Sequence, residues 1–211
     1  MGMKAFVKSG LGMFGYILVS LAASAADEAV PATEVVPIEI EDIIYGDPNA
    51  PVEVIEYASF TCPHCAHFSV EMMPYLKENF ISTGKVKLVF RNFIRDRLDM
   101  AVATTVRCTD NKELTKELVE AYFAEQSDWA TAENQAAAIT SIAYLHGISL
   151  AKVNECMADG AMMQGLVKKM KEGHDTYDIS SVPAIIINGT KVAFKDYDDL
   201  KEKITLATGG N

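Results

Sequence analysis

The sequence predicts an α/β fold in the order strand–helix–strand, a long helical block, then strand–strand–helix. Three observations carry this reading. Runs rich in β-branched and aromatic residues at Val52–Phe60 and Gly84–Phe93 flank a stretch of helical periodicity. No strand signal occurs from about Leu98 to Gly173, a segment rich in Ala, Glu, Lys and Leu. Near the C-terminus, an Asn188-Gly189 pair separates two apolar runs, a strong hairpin signature. The chain has 211 residues and is 49% apolar, so it can form one domain carrying a sizeable insertion around a real core.

The first 25 residues read as a signal peptide rather than as part of the fold. Lys4 and Lys8 are basic, an apolar run extends from Leu11 to Leu21, and Ala23-Ser24-Ala25 fits a cleavage site. The run is short for a membrane span of about 20 residues. Cleavage after Ala25 removes two lysines and no acid, moving the formal charge from −10 to −12. So acidic a chain is a poor partner for nucleic acid. Residues 26–40 read as a flexible tail, and the Asp27–Pro51 stretch holds Pro31, Pro37, Pro48 and Pro51. Within it, "IEIEDIIYG" can hold a short edge strand.

Val52–Phe60 is the first full strand. Pro63 then suits the first turn of a helix. Val70, Met73, Leu76 and Phe80 recur at helical spacing, and Pro74 predicts a kink. Gly84–Phe93 is the second strand. The division expected is residues 26–97 with 174–211 as one α/β unit and 98–173 as an inserted helical domain. In the insertion, Leu114, Leu118, Val119, Tyr122 and Phe123 share one helical face. "TAEN" caps another helix, with Ile139, Ile142, Ala143 and Leu145 on its apolar side. Gly147 stops that helix and Ser149 caps the next. Ala184–Ile187 and Lys191–Phe194 form the hairpin, and "DYDDLKEKITLAT" is the last helix.

Chemistry concentrates at "FTCPHCAHF" (Phe60–Phe68). With Cys62 at the start of a helix, free backbone N–H groups and the positive end of the helix dipole favour its thiolate. Pro63 presets the turn, and His64 adds a donor and, when protonated, a positive charge. Together they are expected to hold Cys62 well below the free-thiol value of about 8.5. Cys65 lies one turn on, on the more buried side, placed to resolve a mixed disulfide formed at an exposed Cys62. Two other readings compete. A zinc half-site would also draw on His64 and His67, but it lacks a second ligand cluster, since Cys108 and Cys156 are single and far apart. An inert disulfide over so short a loop would be a weak staple. No metal and no cofactor is expected. His67 reads as a surface or packing residue, His146 as a helix-end cap, and Trp129 as structural. Met72, Met73, Met162, Met163 and Met170 read as core filling more readily than as an apolar substrate surface. Cys108 and Cys156 both fall on helices of the insertion and can form a second, structural disulfide, which in an oxidising compartment is preferred to two buried thiols.

"EYASFTCPHC" resembles the active-site segment of the DsbA family of periplasmic thiol oxidases, and "SVPAIIINGT" resembles that family's Val–cis-Pro loop and hairpin. The resemblance spans roughly residues 40–207. It implies a thioredoxin fold with an inserted all-helical subdomain. It implies that Cys62 is the sulfur linked to substrate, Cys65 the resolving sulfur and His64 a tuner of the potential. Val182 and Pro183 would form a cis-proline loop beside the disulfide that pairs with substrate backbone. Glu56, six residues before Cys62, matches the family's buried acid under the dithiol, against the plainer reading of a strand-edge carboxylate. An extra cysteine pair such as Cys108 and Cys156 occurs in alphaproteobacterial members.

The function expected is periplasmic oxidation of exported proteins that carry free cysteines. Reoxidation by a membrane quinone-linked partner of the DsbB type follows from the resemblance. A disulfide isomerase or reductase, a dithiol metal carrier or holdase, and a glutathione-using relative are the alternatives. Only about 26 residues separate the cleavage site from Val52, too few for a dimerisation domain, so a monomer is expected.

Overall fold

The computed structural model describes residues 35–210 together with Gly2. The expected signal peptide and most of the tail therefore lie outside the described residues. The chain forms a five-stranded mixed sheet in the order β1-β3-β2-β4-β5. The strands are β1 (Ile43–Tyr45), β2 (Val52–Ala58), β3 (Val86–Asn92), β4 (Ala184–Ile187) and β5 (Thr190–Val192). β2 and β3 run parallel, and β1, β4 and β5 each pair antiparallel with their neighbours. This is a thioredoxin fold with helices inserted between β3 and β4.

The alternation of side chains along central β2 divides the core between two faces. Val52, Val54 and Ala58 join the large cluster with Phe68, Met72, Leu118, Trp129 and Leu200. Ile55 and Tyr57 join a smaller cluster with Val89, Ile179 and Ile186. Glu56 has the parity of the first set and is 1% exposed. Both central residues of the β4–β5 turn, Asn188 and Gly189, have positive φ (47° and 79°), as the tightest hairpin turns require.

The first helical stretch starts with α1 (Pro63–His67) and continues through a π-helical segment (Phe68–Met72), α2 (Met73–Leu76) and a second π-helical segment (Lys77–Ile81). The Met73 amide reaches back five residues to the Phe68 carbonyl, just before Pro74, which has no N–H to give. The wider turn rotates the buried stripe. Phe68 and Met72 fill the core, and Val70, expected on the inner face, is 49% exposed.

The inserted helices are α3 (Arg97–Thr105), α4 (Lys112–Ala124), α5 (Gln126–Ala130), α6 (Gln135–Leu145), α7 (Leu150–Met157) and α8 (Gly160–Tyr177). Side chains of Asp96, Asn111, Asn134, Ser149 and Asp159 accept amide hydrogens at the first turns of α3, α4, α6, α7 and α8. Ile139, Ile142 and Ala143 are buried as expected, but Leu145 is 76% exposed. It lies in the last turn, after the helix has passed its neighbours. Gly173 does not end α8. The helix continues to Tyr177 and ends where Asp178 turns left-handed at φ 51°. Gly173 instead marks the closest packing of α8 on the Tyr57 ring. C-terminal α9 (Tyr197–Ala207) is capped by Asp196.

The leading segment is tied to α8 and β3. Asp42 accepts from Arg91 Nε at 2.9 Å and Nη2 at 2.7 Å, and pairs with Lys169 Nζ at 2.8 Å. Lys169 also donates to the Ile40 carbonyl at 2.6 Å, and the Ile38 amide to that of Ala161 at 3.3 Å.

Candidate redox-active site

Strand β2 ends at Ala58, and Ser59–Thr61 carries the chain to Cys62, the N-cap of α1. Its extended backbone (φ −93°, ψ 116°) and Pro63 in the first turn start the helix there. The Cys62 amide donates to the Ser59 carbonyl at 3.1 Å, and the Cys62 carbonyl accepts from the Cys65 and Ala66 amides at 3.0 and 3.1 Å. Both cysteines are free thiols. Cys62 is 5% exposed and Cys65 0%. The expected contrast between an exposed and a buried sulfur is therefore small, because the loop before β4 covers Cys62. From that loop, the Val182 carbonyl accepts from the Cys62 thiol at 3.6 Å. The Val182–Pro183 peptide is cis.

Burial pushes the Cys65 thiol far above its ordinary range. The Ser59 backbone partly offsets this, and the nearby Glu56 and Cys62 add to it. Burial alone pushes Glu56 up to about 8. Its Oε1 has no hydrogen-bond partner among the described residues. The structure thus gathers Glu56, Cys62, Cys65 and Val182 into one place, while Pro63 and His64 sit exposed on the outer side of α1. His67 lies apart from the sulfurs. It stacks on Tyr197 at 5.4 Å between ring centroids and bonds its hydroxyl at 3.0 Å. His146 caps α6 through the Ile142 carbonyl at 2.9 Å. Met72 and Met73 are core residues.

Cys108 and Cys156 are joined by a disulfide that links the end of α3 to α7. Among the described residues, no group of three or more His, Cys, Asp or Glu stands where it could hold a metal ion. No helix there is long and apolar enough to cross a membrane.

Two further side chains hold the loop that carries Cys62, and both come from the insertion. Asp99 on α3 accepts from Ser59 Oγ at 2.5 Å and from the Phe60 amide at 2.8 Å. Gln126 on α5 donates to the Phe60 and Cys62 carbonyls at 2.6 and 3.0 Å. The sequence carries a signal for both. Asp99 shares a helical face with Val102, Ala103 and Val106, and Gln126 continues the stripe of Leu118 and Tyr122. A polar residue on an apolar face needs a partner.

The family model described as Thioredoxin matches residues 39–205. A Rickettsia conorii protein named "Putative protein-disulfide oxidoreductase" is 26% identical over 170 residues, covering 81% of this chain and 61% of that protein. The chain thus spans about three fifths of the length of such curated relatives. Among solved structures, Wolbachia pipientis alpha-DsbA1 is 26% identical with a TM-score of 0.73, covering 83% of this chain and 94% of that one. The protein-disulfide isomerase from Novosphingobium aromaticivorans is 26% identical with a TM-score of 0.71, covering 81% and 99%. A match over most of the chain, a cysteine pair opening the first helix after β2 and a helical block between β3 and β4 lead to one conclusion: the chain belongs to the thioredoxin family, in its DsbA-type branch.

Proposed function

We propose that this chain is an exported thiol oxidase, which passes a Cys62–Cys65 disulfide to newly exported proteins carrying free cysteines. The observation that carries the reading is the asymmetry of the pair. Both sulfurs are covered, but Cys62 caps a helix beside the Val182 carbonyl, while Cys65 lies deeper and near Glu56, whose Oε1 has no hydrogen-bond partner among the described residues.

The chemistry follows from that asymmetry. A substrate thiolate attacks Cys62 Sγ, the Cys62–Cys65 bond breaks and Cys65 leaves with the electron pair. Burial makes the Cys65 anion a poor leaving group, so a proton must reach it. Glu56, protonated up to about pH 8, supplies that proton. A second substrate thiolate then attacks the substrate sulfur of the mixed disulfide and releases Cys62. The substrate gains a disulfide and the chain holds the dithiol. His64 and Pro63 tune the couple from the helix start, and the Val182–Pro183 loop offers backbone to an extended substrate. A membrane quinone-linked protein of the DsbB type takes the two electrons away. The chain works in the periplasm as a monomer, with the Cys108–Cys156 disulfide as a structural staple of the helical block.

An isomerase or reductase is the second reading, favoured by the likeness to the Novosphingobium protein-disulfide isomerase. The redox potential, insulin reduction and reactivation of a scrambled disulfide substrate separate the two. The oxidase is expected to equilibrate on the oxidising side of glutathione and to oxidise a reduced substrate faster than it reshuffles one. A strongly reducing potential sinks the oxidase reading.

A further inference from the structure

We infer that Asp99 is a positioning residue for the dithiol: through Ser59 it fixes the separation of the two sulfurs and so sets how readily Cys65 reaches Cys62. The inference rests on the reading of Cys62–Cys65 as a redox couple and assigns that couple's geometry to a side chain of the insertion.

Asp99 is 0% exposed, and no salt bridge engages it among the described residues. Its carboxylate accepts three hydrogen bonds. Oδ1 takes the Phe60 amide at 2.8 Å, and Oδ2 takes Ser59 Oγ at 2.5 Å and the Arg95 amide at 3.1 Å. Its neighbour Asp96 extends the grip to Thr61, whose hydroxyl donates to Oδ2 at 3.0 Å. The first turn of α3 therefore holds Ser59, Phe60 and Thr61, the three residues before Cys62. Ser59 passes the constraint on. Its carbonyl holds the Cys62 amide at 3.1 Å, and its backbone lies close enough to the Cys65 thiol to offset part of the cost of burying it. The Phe60 ring, 4.7 Å from that of Phe123, blocks sideways movement of the same loop.

A buried carboxylate without a cation is costly. Burial pushes Asp99 up to about 6, against the pull of its three donors. A neutral side chain would avoid that cost if the site needed only packing. What a neutral isostere lacks is the second acceptor. Asn keeps a carbonyl for Phe60 but puts an amide where Ser59 and Arg95 both donate.

Holding the sulfurs together raises the effective concentration of Cys65 toward a mixed disulfide at Cys62. Loosening the loop lowers it, which weakens the Cys62–Cys65 disulfide against a fixed thiol buffer. Losing one hydrogen bond to a charged group is worth about tenfold. For the exchange of one intramolecular disulfide with two glutathione thiols, tenfold is about 30 mV.

The experiment compares wild type, Asp99→Asn and Ser59→Ala in glutathione buffers, reading oxidation by thiol alkylation and stability by thermal melting. Asp99→Asn is expected to make the couple about tenfold easier to reduce and to lengthen the life of the glutathione mixed disulfide by a similar factor. Ser59→Ala shifts both in the same direction by less. Variants that melt earlier but keep the wild-type equilibrium and mixed-disulfide lifetime overturn the inference, since a merely structural Asp99 would do that. If Asp99→Asn does not fold, Ser59→Ala decides alone by the same readouts. A wild-type pair that does not exchange with glutathione counts instead against the redox reading of the site.

Discussion

Replacing Glu56 by Gln removes a titrating group from the middle of the sheet with almost no change of shape. Glu56 lies on β2 between Phe90 of β3 and Ile185 of β4. It is 1% exposed with one oxygen unpartnered, and burial lifts it from an ordinary 4.5 to about 8. The folded-state value lies above the unfolded one. The penalty is therefore absent below about pH 4.5, grows as pH rises and is complete above about pH 8. That span corresponds to roughly 5 kcal/mol, at about 1.4 kcal/mol for each tenfold change in proton affinity. Between about pH 5 and pH 8, wild type should lose roughly 3–4 kcal/mol relative to Glu56→Gln, whatever constant offset the buried amide brings. The assay is urea unfolding of the dithiol form at several pH values. It follows the chain's single tryptophan, Trp129, which is 1% exposed. Curves for the two proteins that stay parallel across this range would refute the argument, since Glu56 would then remain ionised or hydrated in the fold.

Three shorter predictions accompany it. Cys65→Ser should accumulate covalent adducts with substrate proteins that already carry a disulfide, because the Cys62 thiolate opens that bond and no Cys65 resolves the product, and Cys62→Ser should form none; equal adducts from both on non-reducing gels would remove the division of roles. Replacing Cys108 and Cys156 by Ser opens a link across 48 positions, which in the chain-entropy model lowers stability by about 4 kcal/mol; an unchanged urea midpoint would contradict the staple. In Gly173→Ala the new methyl group would stand 2.5 Å from Tyr57 Cζ and Oη, in a buried ring that cannot swing away. The expected loss is roughly 1–3 kcal/mol, and a midpoint equal to wild type would show that α8 can shift on the sheet.

Much of the fold could be read because its signals are local. β-Branched runs marked β2 and β3, Asn188-Gly189 marked the last hairpin, and Ser149 and the Asn of "TAEN" marked helix starts. What escaped depended on geometry that spacing does not carry. The π turns before Pro74 change the number of residues per turn, so a stripe counted at a fixed period placed Val70 inside and left Phe68 out. The helical block, expected to end at 173, runs on to Tyr177, and the missing side chain of Gly173 makes room for Tyr57. At the site, Glu56, Cys62, Cys65 and Val182 lie together, with Pro63 and His64 on the outer side of α1, and the sequence names none of the groups clamping the loop. Asp99 reaches Ser59 across 40 positions and Gln126 reaches Phe60 across 66. Nothing local announces such a pairing except a polar residue on an apolar face.

The ties between the leading segment and α8 bear on the order in which the chain can complete itself. Ile40 receives its hydrogen bond from a lysine 129 positions later. Asp42 takes one of its two cations from that same residue. A chain emerging N-terminus first therefore makes β1 early and anchors it late. Until α8 arrives, β1 can pair with β3 and Asp42 with Arg91, but Ile38 and Ile40 lack the hydrogen bonds that α8 supplies, and Gly165 is not yet there to pack against the Ile38 carbonyl. Closing so long a loop is a late event in assembly. A chain cut off before Gly160 should accordingly exchange the Ile38 amide hydrogen at the rate of unstructured peptide, while amides of the β2–β3 pair are still protected.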